Sequence, residues 1–198
     1  VYYAAPPTGS IYSYWLTPHA RGNYGLAYSS GGHVWVSCVQ TGSVYDCRSN
    51  AGTVYRSWEA TNYAHGLAPY STGDGGTGTT AIFSAAESPS YCWRRNMTTG
   101  SILSSFPLAN PSHYDIPWDQ RNAAIWMADA PRIIYGYSTS GYVRASFAAP
   151  AGTPRGMAYY GQYLYVSCDA NNTVYIVDCP GTLCVKPASL GRVKALFR

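Results

Sequence analysis

Apolar and polar residues alternate along this chain in short runs, broken by glycine, asparagine, serine and proline. HVWVSC from His33, AIFSAA from Ala81, AIWMAD after Ala123 and YLYVSC from Tyr163 are dense enough in apolar residues to be strands buried on both faces. A partner strand follows each at short distance: SVYDC, SYCW, IIYGY and TVYIVDC. A small-residue segment precedes each: GLAY at Gly25, GLAPY at Gly66, YDIPW at Tyr114 and GMAY at Gly156. No stretch carries the i, i+3, i+4 apolar spacing of an amphipathic helix, so the pattern predicts an all-β fold.

A second pattern recurs at longer range. A glycine followed by an alternating run is seen as GSIYSYW from Gly9, GTVYRSW from Gly52, GSILSSF from Gly100, GYVRASF from Gly141 and, more weakly, GTLCVKP from Gly181. The spacings are 43, 48, 41 and 40 residues, the period of a four-stranded propeller blade. Each repeat then holds strands A to D, and the fold expected is a β-propeller of four-stranded antiparallel blades.

The repeats divide the chain into blades at 21–62, 63–109, 110–150 and 151–187, within a single domain. Residues 1–20 match strands C and D alone and form an N-terminal half-blade; residues 188–198 are a tail whose RVKALF segment is a candidate strand donor. If the tail completes its own half-blade, a disc of about five blades results. If it completes that of another molecule, the contact is head-to-tail and builds a ring or filament.

Charged residues make up 11% of the chain, against about a quarter in ordinary globular proteins, while tyrosine alone contributes 20 residues. A neutral, hydroxyl-rich, aromatic surface suits packing against a neighbour or a sugar. The formal net charge of +4 is scattered, without the basic stripe that nucleic acid would require. The chain opens at Val1 with no signal-peptide pattern, as a mature product or a fragment would, and has no apolar run long enough to span a bilayer. Six cysteines and two N-x-Thr sequons, at Asn96 and Asn171, point to an extracellular or cell-surface setting.

Cys38 and Cys168 end strand B in the first and fourth blades, and only those blades carry a cysteine at the end of strand C, Cys47 and Cys179. This joint occurrence suggests the disulfides Cys38–Cys47 and Cys168–Cys179, with a tight turn at Gly42-Ser43 setting Cys38 opposite Cys47. Cys92 and Cys184 are then free or join different subunits; a Cys179–Cys184 bridge is the alternative for the last hairpin.

Pro154, Gly156, Ala158, Tyr165, Val166, Thr173, Val174, Val177 and Asp178 carry a pattern that resembles the repeat of secreted bacterial and archaeal propellers of the YVTN and NHL kind. The resemblance implies the propeller fold. Members of that broad group include surface-layer and adhesion modules, ligand-binding domains and, less often, lyases or hydrolases, so the resemblance implies no single activity.

Chemistry on such a fold belongs in the loops leading into strand A. These contain His19, Arg21, His65, His113 and Arg155, and repeat alignment sets His65 level with Tyr24, Tyr114 and Arg155 around one mouth of the channel, near Asp115 and Asp119. No histidine or carboxylate recurs at one position and no metal-ligand spacing stands out, so no catalytic residue, metal or cofactor is assigned. Trp15, Trp58, Phe106 and Phe147 at the end of strand D, and Trp35, Phe83, Trp126 and Tyr165 in strand B, occupy matched sites suited to interblade packing. Tyr2, Tyr3, Trp93, Trp118 and Tyr160 are irregular and freer to stack on sugars. The function expected is an extracellular structural or adhesive subunit that self-associates, with a glycan-binding propeller and a metal-dependent lyase or hydrolase as alternatives.

Overall fold

The computed structural model describes residues 2–5, 10–18, 22–29, 32–60, 64–70, 81–86, 90–108, 115–129, 132–160, 162–170, 173–178 and 184–186, with backbone alone for 2–5, 10–14, 23–24, 129 and 184–186. Among them every regular element is a strand. Blade I comprises β3 (Asn23–Ser29), β4 (His33–Cys38), β5 (Ser43–Arg48) and β6 (Val54–Glu59). Blade II comprises β7 (Gly66–Tyr70), β8 (Ala81–Ala86), β9 (Tyr91–Asn96) and β10 (Ile102–Pro107). Blade III is β11 (Trp118–Asp119), β12 (Ala124–Asp129), β13 (Ile133–Ser138) and β14 (Val143–Ala148); blade IV is β15 (Pro154–Tyr160), β16 (Tyr163–Cys168), β17 (Thr173–Asp178) and β18 (Cys184–Lys186). Ahead of them, β1 (Tyr2–Ala5) and β2 (Ser10–Tyr14) form a two-stranded sheet. Each blade is an antiparallel sheet in chain order, as expected of a propeller, and successive innermost strands lie side by side: β3 by β7, β7 by β11, β11 by β15.

Side chains alternate across each sheet, so strand B of every blade sends one set of residues back and the other forward. In blade I, Val34 and Val36 meet Trp15 of the preceding sheet, while Trp35 meets Leu67 and Ile82 of blade II. Phe83 and Ala85 of blade II face Ile125 and Met127 of blade III, whose Trp126 and Ala128 face Leu164 and Val166 of blade IV. The apolar core is therefore a series of slabs between blades, which is why the strand B sequences read as nearly continuous apolar runs.

One contact repeats at three successive boundaries, from the N-terminal sheet to blade III. The aromatic ring closing strand D of one blade lies on the glycine that precedes strand D of the next. A Cβ at Gly52 would lie 2.5 Å from the Trp15 ring, one at Gly100 2.6 Å from Trp58, and one at Gly141 2.5 Å from Phe106 Cβ. These glycines also have φ of 66°, 72° and 88°, in the left-handed region that glycine enters without steric cost. Conformation and close approach thus demand the same residue, and the glycine and the aromatic of the sequence motif are the two halves of one interblade latch.

The alternation within that motif is not strict. Register shifts in the C–D pairs leave one extra residue on strand D: Tyr55 between the pairs Cys47–Val54 and Asp46–Arg56, Leu103 in blade II and Arg144 in blade III. A bulge turns the strand and re-aims the side chain it inserts.

The expected Cys38–Cys47 disulfide is corrected by the hairpin register. Cys38 is opposite Ser43, across the Val39–Gly42 turn, and Cys47 is opposite Val34 at the far end. Antiparallel pairing sets the end of one strand beside the start of the next, not beside its end. Four residues of offset amount to roughly 13 Å, beyond the reach of a disulfide. Cys168 is likewise opposite Thr173, while Asp178, next to Cys179, is opposite Tyr163. Cys179 lies outside the described residues, and Cys184 is opposite Asp178. Cys38, Cys47, Cys92 and Cys168 are buried, and none of the four is in a disulfide. Cys92 sits in the slab between blades II and III, unavailable to another subunit, and burial pushes its pKa far up, as it pushes that of Cys47 up to about 11.

Replacing Gly100 with alanine should cost about 2–4 kcal/mol, the sum of a strained backbone and a methyl driven into Trp58. Gly32, with φ of 76° but only Ser49 Oγ at 3.3 Å, isolates the backbone part, about 1–2 kcal/mol. Urea unfolding of the two variants measures the difference; equal losses would mean that the ring contact contributes nothing.

Candidate functional site

The mouth expected to carry chemistry is the end where each innermost strand begins. At two of its four aligned positions the sheet bulges. Tyr24 is the extra residue between the pairs Asn23–Cys38 and Gly25–Ser37, and Arg155 the extra residue between Pro154–Cys168 and Gly156–Ser167. His65 donates its backbone N–H to Ala85 O at 2.8 Å, and its carbonyl would be 2.7 Å from a Cβ on Gly25, so it stands beside the start of blade I. His113 and Tyr114, with His19 and Arg21, lie outside the described residues.

Among the described residues at this mouth, Arg155, Asp115 and Asp119 already have structural work. Exposed Arg155 holds Asp169 through Nε at 3.2 Å and Nη2 at 3.1 Å, while the Thr153 N–H donates to the other Asp169 oxygen at 2.8 Å. The Thr153 amide, aided by Arg155, keeps the Asp169 carboxyl below the usual range. Asp115 accepts from the Ile116 N–H at 3.0 Å and, across the blade boundary, from the Met157 N–H at 3.1 Å. Burial pushes its carboxyl up to about 6 against the pull of these two amides. Asp119, fully buried, accepts from the Asn122 N–H, Asn122 Nδ2 and Trp126 Nε1. Among the described residues no three His, Cys, Asp or Glu side chains converge to hold a metal ion.

The irregular aromatics divide. Trp93 is 6% exposed, with the buried Arg95 guanidinium 5.6 Å from its ring; that guanidinium also lies 5.5 Å from Trp58 and donates to Ser84 Oγ and Gly100 O. Trp118 packs against Tyr70 and Phe83. Tyr160 is well exposed, and the side chains of Tyr2 and Tyr3 lie outside the described residues. At the sequon, Asn96 Oδ1 accepts from the Thr98 and Thr99 amides in the C–D turn; Asn171 lies outside the described residues.

Two features were not read from the sequence. The forward face of blade IV is only partly covered. Trp35, Phe83 and Trp126 are at most 3% exposed, but their counterpart Tyr165 is half-buried, as are Tyr163 and Ser167 on the same face. The second is a polar cluster on blade I: His33, Asp46, Arg48, Tyr55 and Arg56. Comparing aligned positions would have signalled it, because Ala81, Ala124 and Tyr163 replace His33, and Arg94, Gly136 and Ile176 replace Asp46.

This geometry defines the class of protein: the chain is a β-propeller. Solved structures with which it aligns are propellers as well. Over 87% of this chain and 53% of the other, it superposes on the WD40 repeats of RRP9 with a TM-score of 0.65 at 9% identity. It superposes on virginiamycin B lyase from Staphylococcus aureus with a TM-score of 0.62 at 18% identity, over 92% and 61% of the two chains. A streptogramin B lyase gives 0.62 at 19% identity, over 84% and 55%. The chain spans little more than half the length of these structures, and identities so low establish the fold alone. No protein-family model matches the chain, and no curated protein does.

Because the fold favours protonated Asp115, its contribution to stability is complete below about pH 4 and is lost as pH rises through about 6. Relative to Asp115→Asn, which cannot titrate, the natural chain should therefore gain stability as pH falls from about 7 to about 4. Urea midpoints of both proteins across that range measure it; a pH-independent difference would refute the role given to burial.

Proposed function

We propose that this propeller is a non-catalytic, extracellular building block that self-associates, using the forward face of blade IV as its docking surface for a second copy. The observation that carries this reading is the break in the burial pattern at Tyr165 and Ser167, whose equivalents are buried in all three earlier blades. The occupant that fits is the N-terminal two-stranded sheet of another molecule. That sheet is half a blade, an isolated hairpin is marginal by itself, and its last aromatic, Trp15, already packs against blade I as a full blade would. A chain so joined is heterologous and head-to-tail. The low charge and abundant tyrosine support such packing, as does the likeness of the blade IV repeat to secreted YVTN and NHL propellers. The extracellular setting rests on the same composition and on the sequons, the four buried cysteines without a disulfide lending it no support.

A second reading, a lyase acting at the channel mouth, draws on the two lyases among the structures that superpose and on His65 and Arg155 at that mouth. Loss of virginiamycin B on incubation with the protein and a divalent cation, abolished by His65→Ala, would favour it.

The assembly reading is tested by solution mass and electron microscopy of the natural chain beside Tyr165→Glu, which would bury a charge in the contact. Concentration-dependent oligomers or fibres that revert to monomers in the variant, with its thermal unfolding retained, are expected. Monomers throughout, or particles indifferent to the substitution, would overturn it.

A further inference from the structure

The polar cluster on blade I exceeds anything the architecture needs. Three other blades form without it, so its residues are free of the constraint that makes the rest of the repeat alike. Its centre is Asp46, 1% exposed, with Oδ1 2.6 Å from His33 Nδ1 and Oδ2 3.0 Å from Arg56 Nε. Oδ1 is hydrogen-bonded to the imidazole, while Oδ2 is ion-paired with Arg56 without hydrogen-bond geometry. Arg48 Nη1 lies 3.4 Å from His33 Nε2. A guanidinium can only donate, so Nε2 carries the lone pair, and the imidazole proton is on Nδ1, pointed at Asp46. Arg56 neutralises Asp46, whereas Arg48 has no carboxylate partner among the described residues. One guanidinium charge is left uncompensated at the exposed edge of the cluster.

Tyr55 holds this edge in place. It is the residue inserted by the C–D bulge, 56% exposed, with the Arg48 and Arg56 guanidinium carbons 4.9 and 4.6 Å from its ring centre and the His33 ring edge-on at 5.6 Å. Cation–π contact with Tyr55 leaves the Arg48 guanidinium, and the Asp46 contact leaves the imidazole, little freedom to lose when a ligand arrives. The long contact between Arg48 and His33 is the loosest in the cluster and the one a stronger acceptor would displace.

We infer that Arg48, His33 and Tyr55 form a binding site for an acidic sugar, whose carboxylate or sulfate group takes the fork of Arg48 and whose ring lies along the exposed part of Tyr55. Planar, two-pronged donation suits an oxyanion better than a point charge does. Arg56 and Asp46 act as positioning residues, fixing the imidazole and the edge of the sheet beneath the ligand. The site is independent of the docking face on blade IV and stands or falls separately from it.

The test is titration of the full chain with trigalacturonate, with a sulfated disaccharide, and with neutral maltotriose, following the ring resonances of His33. Trigalacturonate or the sulfated sugar should shift them and maltotriose should not, the stronger of the two acids identifying the source of the charge. Arg48→Gln should weaken binding about tenfold or more, while Arg144→Gln, at the matching bulge of blade III, leaves it unchanged. Thermal unfolding of both variants guards against loss of fold, and Arg48→Lys, which keeps the charge but loses the fork, should restore binding only in part. The inference is overturned if no sugar moves the His33 resonances up to about 10 mM, if inorganic sulfate binds as tightly as either acidic sugar, or if Arg48→Gln binds normally.

Discussion

A ring resting on the α-carbon of a glycine is the contact on which this propeller depends. Gly52, Gly100 and Gly141 lie beneath Trp15, Trp58 and Phe106, each at a turn whose positive φ already calls for glycine. Because the ring belongs to the preceding blade, the contact fixes the distance and tilt between successive sheets. The slabs of apolar side chains then fill the space so defined: Trp35 against Leu67 and Ile82, Phe83 against Ile116 and Ile125, Trp126 against Leu164 and Val166. Each blade is held by its neighbours more than by an interior of its own, the energetic pattern of repeat proteins.

Much of this was legible in the sequence because packing demand and repeat period coincide. Glycine and aromatic recur together since they touch across blades, and strand B is apolar on both faces since both are covered. What escaped depends on pairing, which spacing alone does not report. The Cys38–Cys47 expectation matched strand ends that an antiparallel hairpin holds apart. The bulges at Tyr55, Leu103 and Arg144 are defined only by the residues opposite them. Arg95 reads as a surface residue in a strand, yet two tryptophans and two oxygen acceptors make its burial tolerable. Burial disfavours its charged form without removing the charge.

The two departures from the repeat do different work on the same scaffold. In blade I, His33 and Arg56 gather around the buried Asp46 carboxylate, and Arg48 stands at the exposed edge. In blade IV, Tyr165 keeps the aromatic character of its position but is only partly buried. At the channel mouth, where the sequence drew attention to His65 and Arg155, Asp115 ties blade III to Met157 of blade IV, and Arg155 is tied to Asp169 within blade IV. We propose the first departure as chemistry for a ligand and the second as surface for a partner.

The most direct measurement of this arrangement is hydroxyl-radical footprinting of the natural chain over a range of concentrations, read residue by residue by mass spectrometry. Trp35, Phe83 and Trp126 should remain protected at every concentration, while Tyr165 is oxidised in the dilute chain and becomes protected as molecules associate. Protection of Tyr165 equal to that of Trp126 in the dilute monomer would show that the forward face of blade IV is already covered, and would contradict the account.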